Sequence, residues 1–257
     1  KKGTAKLAAL ILFSIAYGSA MGSIGTPSGG GRNVIMMTYL KDFDIINISY
    51  LGWMARAYPV LILEIPLAVL ILWTSFRPEQ TTLDSAVRKL KVQVTKSGSI
   101  SGKEVFAIII FVLVFLSWIF FSSYVGLGII AISGVFVYMA FGLVQWDDLN
   151  RNTNWGVILL FGAAISIGVQ MQETGAALWV AESAINLMKF VSDDVSTLRW
   201  LTAVLLTGVL TNLLSNAATV AVLGPIVLNM GGDPIFMGFS TAIASSFAYL
   251  TVVASPT

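Results

Sequence analysis

Hydroxyl and amide side chains cluster inside a strongly apolar stretch that runs from Thr207 to Pro225. The cluster comprises Thr211, Asn212, Ser215, Asn216 and Thr219. Such groups are costly in hydrocarbon unless something satisfies them, and non-helical backbone at membrane depth is tolerated only where protein covers it or where it lines a cavity. The pattern therefore predicts a re-entrant hairpin over residues 196–230, with a tip near 215–217 that binds a solute or an ion. The alternative is a spanning helix whose polar side chains bond to neighbouring helices.

A second irregular stretch lies near the start of the chain. Residues 16–33 contain six glycines and one proline, a composition that does not propagate a helix comfortably. We expect a broken helix over residues 7–40, with a first half to Met21, unwound chain over Gly22–Gly31 and a second half from Arg32. Broken helices expose carbonyl groups and helix ends to ions. The alternative is that Gly18 and Gly22 only form a tight helix contact.

Two charged residues fall within these apolar segments. Arg32 would begin the second half-helix, and Glu64 lies in a span predicted over residues 52–76. Charged groups at membrane depth are functional candidates by default. For Glu64 the structural alternative is a pair with Arg56, two helical turns earlier, or with a residue of another helix. Titration of Glu64 during transport would instead indicate proton coupling.

The composition is that of a polytopic membrane protein. The chain is 56% hydrophobic and 11% charged, whereas a typical soluble domain has about 25% charged residues. It contains neither cysteine nor histidine, which excludes disulfides, thiolate chemistry and imidazole metal sites. The net charge of +2 arises from basic residues in loops and indicates no nucleic-acid partner. A membrane-embedded enzyme is the least favoured class, because no nucleophile and base and no metal ligands are clustered in the sequence.

The apolar segments divide the chain into three parts. Residues 1–76 hold the broken helix and the following span, residues 77–103 form a hydrophilic linker that its Ser-Gly pairs mark as flexible, and residues 104–257 hold the rest. In this last part the predicted elements are spans at 104–122, 126–144 and 154–171, an amphipathic interfacial stretch at 174–190, the hairpin, and an apolar segment from Pro234 to a break at 254–257.

Lysine and arginine residues set the expected orientation. If Lys1 is cytoplasmic and the hairpin enters and leaves on one face, ten basic residues fall on the cytoplasmic side and three outside. This excess predicts a multi-pass protein of the cell membrane with a cytoplasmic loop at 77–103. The hairpin at 196–230 then enters from outside.

The stretch Thr211–Pro225 resembles the Ser-Asn-Thr hairpin of the divalent anion–sodium symporters, which are secondary transporters of dicarboxylates, citrate and sulfate. The resemblance extends over nearly the whole chain and keeps the family's order of elements. Its other parts are Gly22–Asn33 followed by Trp53-Met54 and Pro59, residues 155–175 with Leu-Leu-Phe-Gly at 159–162, and residues 244–257.

This resemblance implies an all-α integral membrane protein, an inverted-repeat secondary transporter with a re-entrant hairpin and broken transmembrane helices. It implies a homodimer with elevator-type alternating access, and it places the first hairpin upstream of Lys1, so that the chain is part of a longer transporter. The implied activity is sodium-coupled symport of a small divalent anion such as a dicarboxylate, citrate or sulfate, with sodium as coupling ion and no organic cofactor. A proton-coupled transporter or antiporter of similar plan is the alternative.

Carried over position by position, the resemblance implies two sodium sites and one anion site. The expected sodium ligands are Ser215, Asn216, Ala254 and Thr257 in one site, and Gly22, Thr26 and Asn33 in the other. The expected substrate contacts are Asn216, Ala217, Thr219, Ser255, Pro256 and Arg32.

Two positions depart from the family's pattern. Ala217 replaces the threonine of Ser-Asn-Thr, so that Thr219 is expected to supply the missing hydroxyl. The residues at 30–33 read Gly-Gly-Arg-Asn where the family has Thr-Pro-Pro-Asn. Arg32 is therefore expected to bind the anion through its planar donors, to take the place of one sodium ion, or to pair with Glu64.

Overall fold

The computed structural model of the chain describes residues 2–77, 84–97 and 100–248. These residues form twelve α-helices, one 3₁₀ helix and no β-strand, as expected for an all-α protein. The α-helices are α1 (Lys2–Gly22), α2 (Gly31–Asp42), α3 (Tyr50–Ser75), α4 (Asp84–Ser97), α5 (Gly102–Val125), α6 (Leu127–Ala140), α7 (Trp146–Asn152), α8 (Trp155–Glu173), α9 (Ala176–Met188), α10 (Val195–Leu210), α11 (Asn216–Leu228) and α12 (Pro234–Ala244). Within the described chain, α3, α5 and α8 are long and apolar enough to cross a bilayer.

The broken helix predicted near the start of the chain is confirmed. α1 ends at Gly22 and α2 begins at Gly31, with the 3₁₀ helix Pro27–Gly29 between them. A β-carbon at Gly29 would lie 2.4 Å from the carbonyl oxygen of Ser23, so only glycine allows the chain to double back this closely. The alternative of a tight contact at Gly18 is not supported, since a β-carbon there would meet nothing within 4 Å in the described chain.

The polar cluster forms the turn of a helical hairpin, not the middle of one helix. α10 ends at Leu210 and α11 begins at Asn216, and with 16 and 13 residues each helix is shorter than the roughly 20 residues that span a bilayer. The far ends of the two helices meet, because a β-carbon at Gly231 would lie 3.0 Å from the guanidinium carbon of Arg199. The alternative of one continuous spanning helix is therefore wrong.

The chain forms two compact units. The first comprises the residues up to Gly18 together with Ile65–Thr153, and the second comprises Ser19–Glu64 and the chain from Asn154. Each unit contains residues from both the 1–76 part and the 104–257 part of the sequence. That these two parts are repeats of one another stays a prediction.

In the first unit α5 and α6 pack against one another. Tyr138 donates a hydrogen bond to the carbonyl of Ala107 at 2.6 Å, and the indole of Trp118 donates to the carbonyl of Leu127 at 3.1 Å. α6 ends at Ala140, four residues before the predicted limit, and its 14 residues are fewer than a straight span needs.

The linker contains a helix that the sequence interpretation missed. Residues 77–103 were expected to be a flexible connection, but Asp84–Ser97 forms α4. The reason is that its composition, with three lysines, one arginine and no internal glycine or proline, is compatible with a helix, and the Ser-Gly pairs begin only at its last residue.

In the second unit α2, α8 and α11 pack around the buried ring of Tyr39, and α9 to α12 share an apolar core. The members of this core are Ala181, Ala203, Leu223, Ile226, Val227, Met230 and Met237. α9, expected at a membrane interface, buries Ala177 and Ala181 on its inner face. Its position in a membrane stays a prediction.

The last described helix ends before the predicted break. The apolar segment from Pro234 is predicted to reach a break at 254–257, and within it the helix α12 ends at Ala244, where Ser245 and Ser246 form a turn. Serine side chains compete with the helix for backbone hydrogen bonds, and the Ser245 hydroxyl donates to the carbonyl of Ala242 at 2.8 Å. The predicted site residues Ala254, Ser255, Pro256 and Thr257 lie outside the described residues.

Candidate functional site

The N-termini of α2 and α11 lie side by side. A β-carbon at Gly31, the first residue of α2, would sit 3.6 Å from the β-carbon of Ala217 and 3.1 Å from the ring of Phe161. Further along, a β-carbon at Gly224 would lie 2.6 Å from the ring of Tyr39. Tyr39 is about 12 Å along α2 from Gly31, and Gly224 about 10 Å along α11 from Ala217. The two helices are therefore parallel, and both begin at the same place.

Tyr39 holds this arrangement together. Its hydroxyl donates to the carbonyl of Ala221 in α11 at 2.7 Å and reaches the carbonyl of Ala164 in α8 at 3.2 Å. Its ring fits a notch formed by Gly168 and Gly224, where a β-carbon would come within 2.6 Å of tyrosine atoms. The sequence interpretation missed Tyr39. The available signal was a hydroxyl-bearing aromatic residue in an apolar helix, together with glycines inside the two other helices.

Parallel helix starts concentrate positive potential. Each helix N-terminus carries roughly half a positive charge and backbone amides that lack partners within the helix. Two such ends at Gly31 and Ala217 favour a negatively charged ligand between them. Among the described residues no acidic side chain follows in the first turn of either helix to neutralise that potential.

The hairpin turn is tied to the chain that follows α12. The hydroxyl of Thr211 donates to the carbonyl of Ser245 at 2.6 Å and lies 3.0 Å from Oδ1 of Asn216. The amide of Asn212 donates to its own helix, at Gly208, and reaches the carbonyl of Phe247 at 3.4 Å. The sequence interpretation paired the hairpin tip with residues 254–257, whereas in the described chain the contacts are made at 245–247.

The first turn of α11 carries the predicted Ser-Asn-Ala residues. Ser215 is the N-cap, and its hydroxyl accepts from the amide of Ala218 at 3.3 Å. Asn216 and Ala217 are half-buried. Thr219, the expected substitute for the hydroxyl missing at Ala217, is fully buried, and its hydroxyl has no hydrogen-bond partner among the described residues.

Asn33 closes the first helix break. Its Nδ2 donates to the carbonyls of Ser23 and Thr26, each at 2.8 Å, while the indole of Trp53 donates to the carbonyl of Ile24 at 2.9 Å. Oδ1 of Asn33 is buried and has no hydrogen-bond partner among the described residues. Gly22, the other predicted ligand here, is the last residue of α1, and its carbonyl accepts from the amide of Gly25 at 3.2 Å. Of the predicted set, Asn33 and Thr26 are thus in direct contact, and their role as sodium ligands stays a prediction. The part that Trp53 plays in the break was not foreseen.

Arg32 is buried at the same break, with 5% of its surface exposed. Its Nη2 donates to the hydroxyl of Ser23 at 2.5 Å and to the carbonyl of Ala20 at 3.4 Å. Glu64 interacts electrostatically with Arg32, and both carboxylate oxygens of Glu64 are buried without a hydrogen-bond partner among the described residues.

Arg56, expected as the partner of Glu64, is engaged elsewhere. Its Nη1 donates to the carbonyl of Gly52 at 2.9 Å, and its guanidinium lies 6.0 Å from the ring centre of Phe239. Arg32, on another helix, lies in electrostatic reach of Glu64 instead, and a structural pair of the two stays a prediction.

Apolar helices, a broken helix, a polar helical hairpin and parallel helix N-termini together define a helical membrane transporter. The comparison with protein families agrees, because the model described as the sodium:sulfate symporter transmembrane region matches residues 1–257. The chain belongs to this family. The members of this family are transporters and not enzymes.

Relatives of this chain are also named as transporters. It is 26% identical to an uncharacterized transporter of Haemophilus influenzae over 96% of this chain and 54% of the relative. It is 24% identical to the sodium-dependent high-affinity dicarboxylate transporter 3 of Caenorhabditis elegans, over 99% of this chain and 51% of the relative. It is 24% identical to the sodium-dependent dicarboxylate transporter SdcS of Staphylococcus saprophyticus, over 96% and 51%. The chain therefore spans about half the length of these relatives.

Proposed function

We propose that the chain is part of a sodium-coupled symporter of a small divalent anion, such as a dicarboxylate, citrate or sulfate. The observation that carries this proposal is the meeting of the α2 and α11 N-termini at Gly31 and Ala217. An anion placed there receives the positive ends of two helices and their first backbone amides. The names of the relatives from Caenorhabditis and Staphylococcus favour a dicarboxylate and sodium dependence.

In this proposal the anion is held by the first turns of the two helices and the chain after α12. The substrate contacts would be Asn216, Ala217, Thr219, Ser255 and Pro256. Thr219 suits the role, because its buried hydroxyl has no other hydrogen-bond partner among the described residues. No covalent step is needed, since binding and release on alternate sides of the membrane account for transport.

Sodium would bind where the hairpin turn meets the segment after α12. The ligands proposed are Ser215, Asn216, Ala254 and Thr257. Hydroxyl, amide and carbonyl oxygens of this kind suit a hard cation. The bond from Thr211 to Ser245 supports the proposal, because it already holds the turn against that segment. The first break, with Gly22, Thr26 and Asn33, would form a second position for positive charge.

We further propose the assembly and orientation that the sequence indicates. The complete transporter would be a homodimer of inverted repeats with an elevator-type movement. Residues 77–103 would lie in the cytoplasm, and the hairpin at 196–230 would enter the cell membrane from outside. The distribution of lysine and arginine supports this orientation.

Counter-flow in liposomes tests the function. The complete transporter is reconstituted with unlabelled succinate, citrate or sulfate inside, and entry of the labelled anion is followed with sodium or choline outside. Sodium-dependent exchange of at least one of these anions is expected. Equal uptake in sodium and choline would contradict sodium coupling, and exchange of none would contradict the proposed substrate class.

Proton coupling is the second candidate, favoured by the buried carboxylate of Glu64, whose oxygens have no hydrogen-bond partner among the described residues. Glu64→Gln keeps the shape of the side chain and removes its charge. Under sodium coupling, the pH dependence of uptake should be the same in this variant and the parent. Loss of a pH-dependent phase in the variant would favour the proton-coupled alternative.

A further inference from the structure

The carbonyl groups at the end of α1 already have hydrogen-bond donors. The last four carbonyls of a helix lack partners within it. Three of them accept from backbone amides that follow. The carbonyl of Ser19 accepts from Ser23, that of Met21 from Ile24 and that of Gly22 from Gly25. The fourth, Ala20, accepts from the hydroxyl of Ser23 at 2.5 Å and from Nη2 of Arg32 at 3.4 Å.

The next carbonyls along the unwound segment are engaged as well. Those of Ser23 and Thr26 accept from Asn33, and that of Ile24 accepts from Trp53. A broken helix offers a sodium ion mainly its exposed carbonyls and helix ends. At this break, side chains of the protein itself already donate to those oxygens.

This position also favours positive charge. The C-terminus of a helix carries roughly half a negative charge, and Arg32 lies against the last turn of α1 through Ala20. Glu64 adds a second negative group in electrostatic reach of the guanidinium. Arginine stays charged at every physiological pH, so the positive charge at this break is permanent.

The direction of the Arg32 side chain argues against anion binding by this residue. A β-carbon at Gly30 would lie 3.4 Å from Nη1 of Arg32. The guanidinium thus folds back over the residues that precede it, toward the hydroxyl of Ser23. Its observed partners are an oxygen of a helix C-terminus and a hydroxyl, which are the kinds of group that would surround a sodium ion.

We propose that Arg32 is a resident cation that takes the place of a coupling sodium ion at the first helix break. Sodium coupling then depends on the hairpin site alone. This inference rests on the proposed function, in which sodium stabilises the binding-competent state.

The test measures sodium binding directly and needs no knowledge of the anion. Melting of the complete transporter in detergent is followed while sodium chloride replaces choline chloride at constant ionic strength. A ligand that binds only the folded state raises the melting temperature by mass action. The variants are Arg32→Gln, which removes the charge, Arg32→Lys, which keeps it, and the control Arg56→Gln, which removes an exposed arginine of the same unit.

A resident cation predicts a gain of sodium dependence when the charge is removed. In choline, Arg32→Gln should melt at a lower temperature than the parent. Sodium should then raise the melting temperature of this variant by more than it raises that of the parent. The rise should also depend more steeply on the sodium concentration. Arg32→Lys and Arg56→Gln should show the same dependence of melting temperature on sodium concentration as the parent, that of a single site. The same sodium response in Arg32→Gln as in the parent would overturn the inference.

A second variant keeps the inference testable if Arg32→Gln fails to fold. Asn216→Ala removes a ligand of the hairpin site, and it should abolish the whole sodium-specific stabilisation of the parent. A residual sodium response in Asn216→Ala would place a sodium ion at the first break and contradict the role of Arg32. A parent that shows no sodium response at all contradicts sodium coupling itself; a sodium response gained by Arg32→Gln would still support the resident cation.

Discussion

The first residue of α2 lies against the first turn of α11, so that a β-carbon at Gly31 would sit 3.6 Å from that of Ala217. These two residues belong to distant parts of the sequence, and each begins a helix. Their contact gives the proposed anion site its positive potential, because two helix dipoles end at the same place. The mutations below vary this contact and the bonds that maintain it.

Gly31→Ala should weaken anion binding without unfolding the protein. The added methyl group enters the space between the helix starts, 3.1 Å from the ring of Phe161. We expect the KM for the anion to rise about tenfold, equivalent to about 1.4 kcal/mol. The matched control is Gly162→Ala, also in a helix, where a β-carbon would meet nothing within 4 Å in the part of the chain that the structure describes. Equal transport kinetics in both variants would remove Gly31 from the site.

Gly224→Ala should destabilise the second unit more than Tyr39→Phe. A β-carbon at Gly224 would lie 2.6 Å from the ring of Tyr39, and overpacking of this kind costs about 1–3 kcal/mol. Tyr39→Phe keeps the ring and loses the bonds to Ala221 and Ala164, at a net cost of about 0.5–1.5 kcal/mol. Melting temperatures measured in detergent report which of the two variants is less stable. A Gly224→Ala variant as stable as the parent would contradict the packing described for Tyr39.

Thr211→Val should reduce the apparent affinity for sodium. Valine has a similar shape but cannot donate to the carbonyl of Ser245, so the hairpin turn is no longer held against the following segment. The expected loss is about three- to tenfold, since a hydrogen bond contributes about 0.5–1.5 kcal/mol. Thr207→Val is the control, because the hydroxyl of Thr207 bonds within its own helix, to the carbonyl of Ala203 at 2.7 Å. Sodium activation curves that coincide for both variants would contradict the link.

The hairpin should lose stability in acid through Asp194, the N-cap of α10. The hydrogen bond that its carboxylate accepts from Thr197 lowers the pKa of Asp194. The cap therefore contributes fully above the ordinary aspartate pKa of about 3.9 and is lost as the pH falls through the lowered value. Asp194→Asn keeps a capping side chain that does not titrate. The melting temperature of the parent should fall relative to this variant below about pH 4; a difference that is constant with pH would contradict the prediction.

The sequence was sufficient to predict both breaks in the helices. Six glycines in residues 16–33, and polar side chains in a single apolar segment at 211–219, are local signals, and local signals decide where a helix ends. The limits at Gly22, Gly31 and Asn216 follow from them. The family resemblance, carried by the same stretches, is confirmed by the family model.

What the sequence could not give is the set of contacts between distant helices. The meeting of Tyr39 with Gly168 and Gly224 depends on three segments packing together, and no spacing along the chain encodes it. The choice between the two partners considered for Glu64 stayed open for a related reason. Arg56 is close in sequence, but the folded chain directs it to Phe239 and brings Arg32 into electrostatic reach instead.

Uptake driven by a sodium gradient in the variant Asn216→Ala tests the central claim most directly. Asn216 stands at the hairpin turn beside Thr211 and opens α11. Its matched control is Asn229→Ala at the other end of the same helix, where the asparagine bonds to Pro225 and Gln172. In liposomes with an inward sodium gradient and labelled succinate, citrate or sulfate outside, Asn229→Ala should transport like the parent. Asn216→Ala should lose sodium-dependent uptake, with near-normal expression and a near-normal melting temperature in choline. Uptake equal to that of Asn229→Ala would contradict the proposed site.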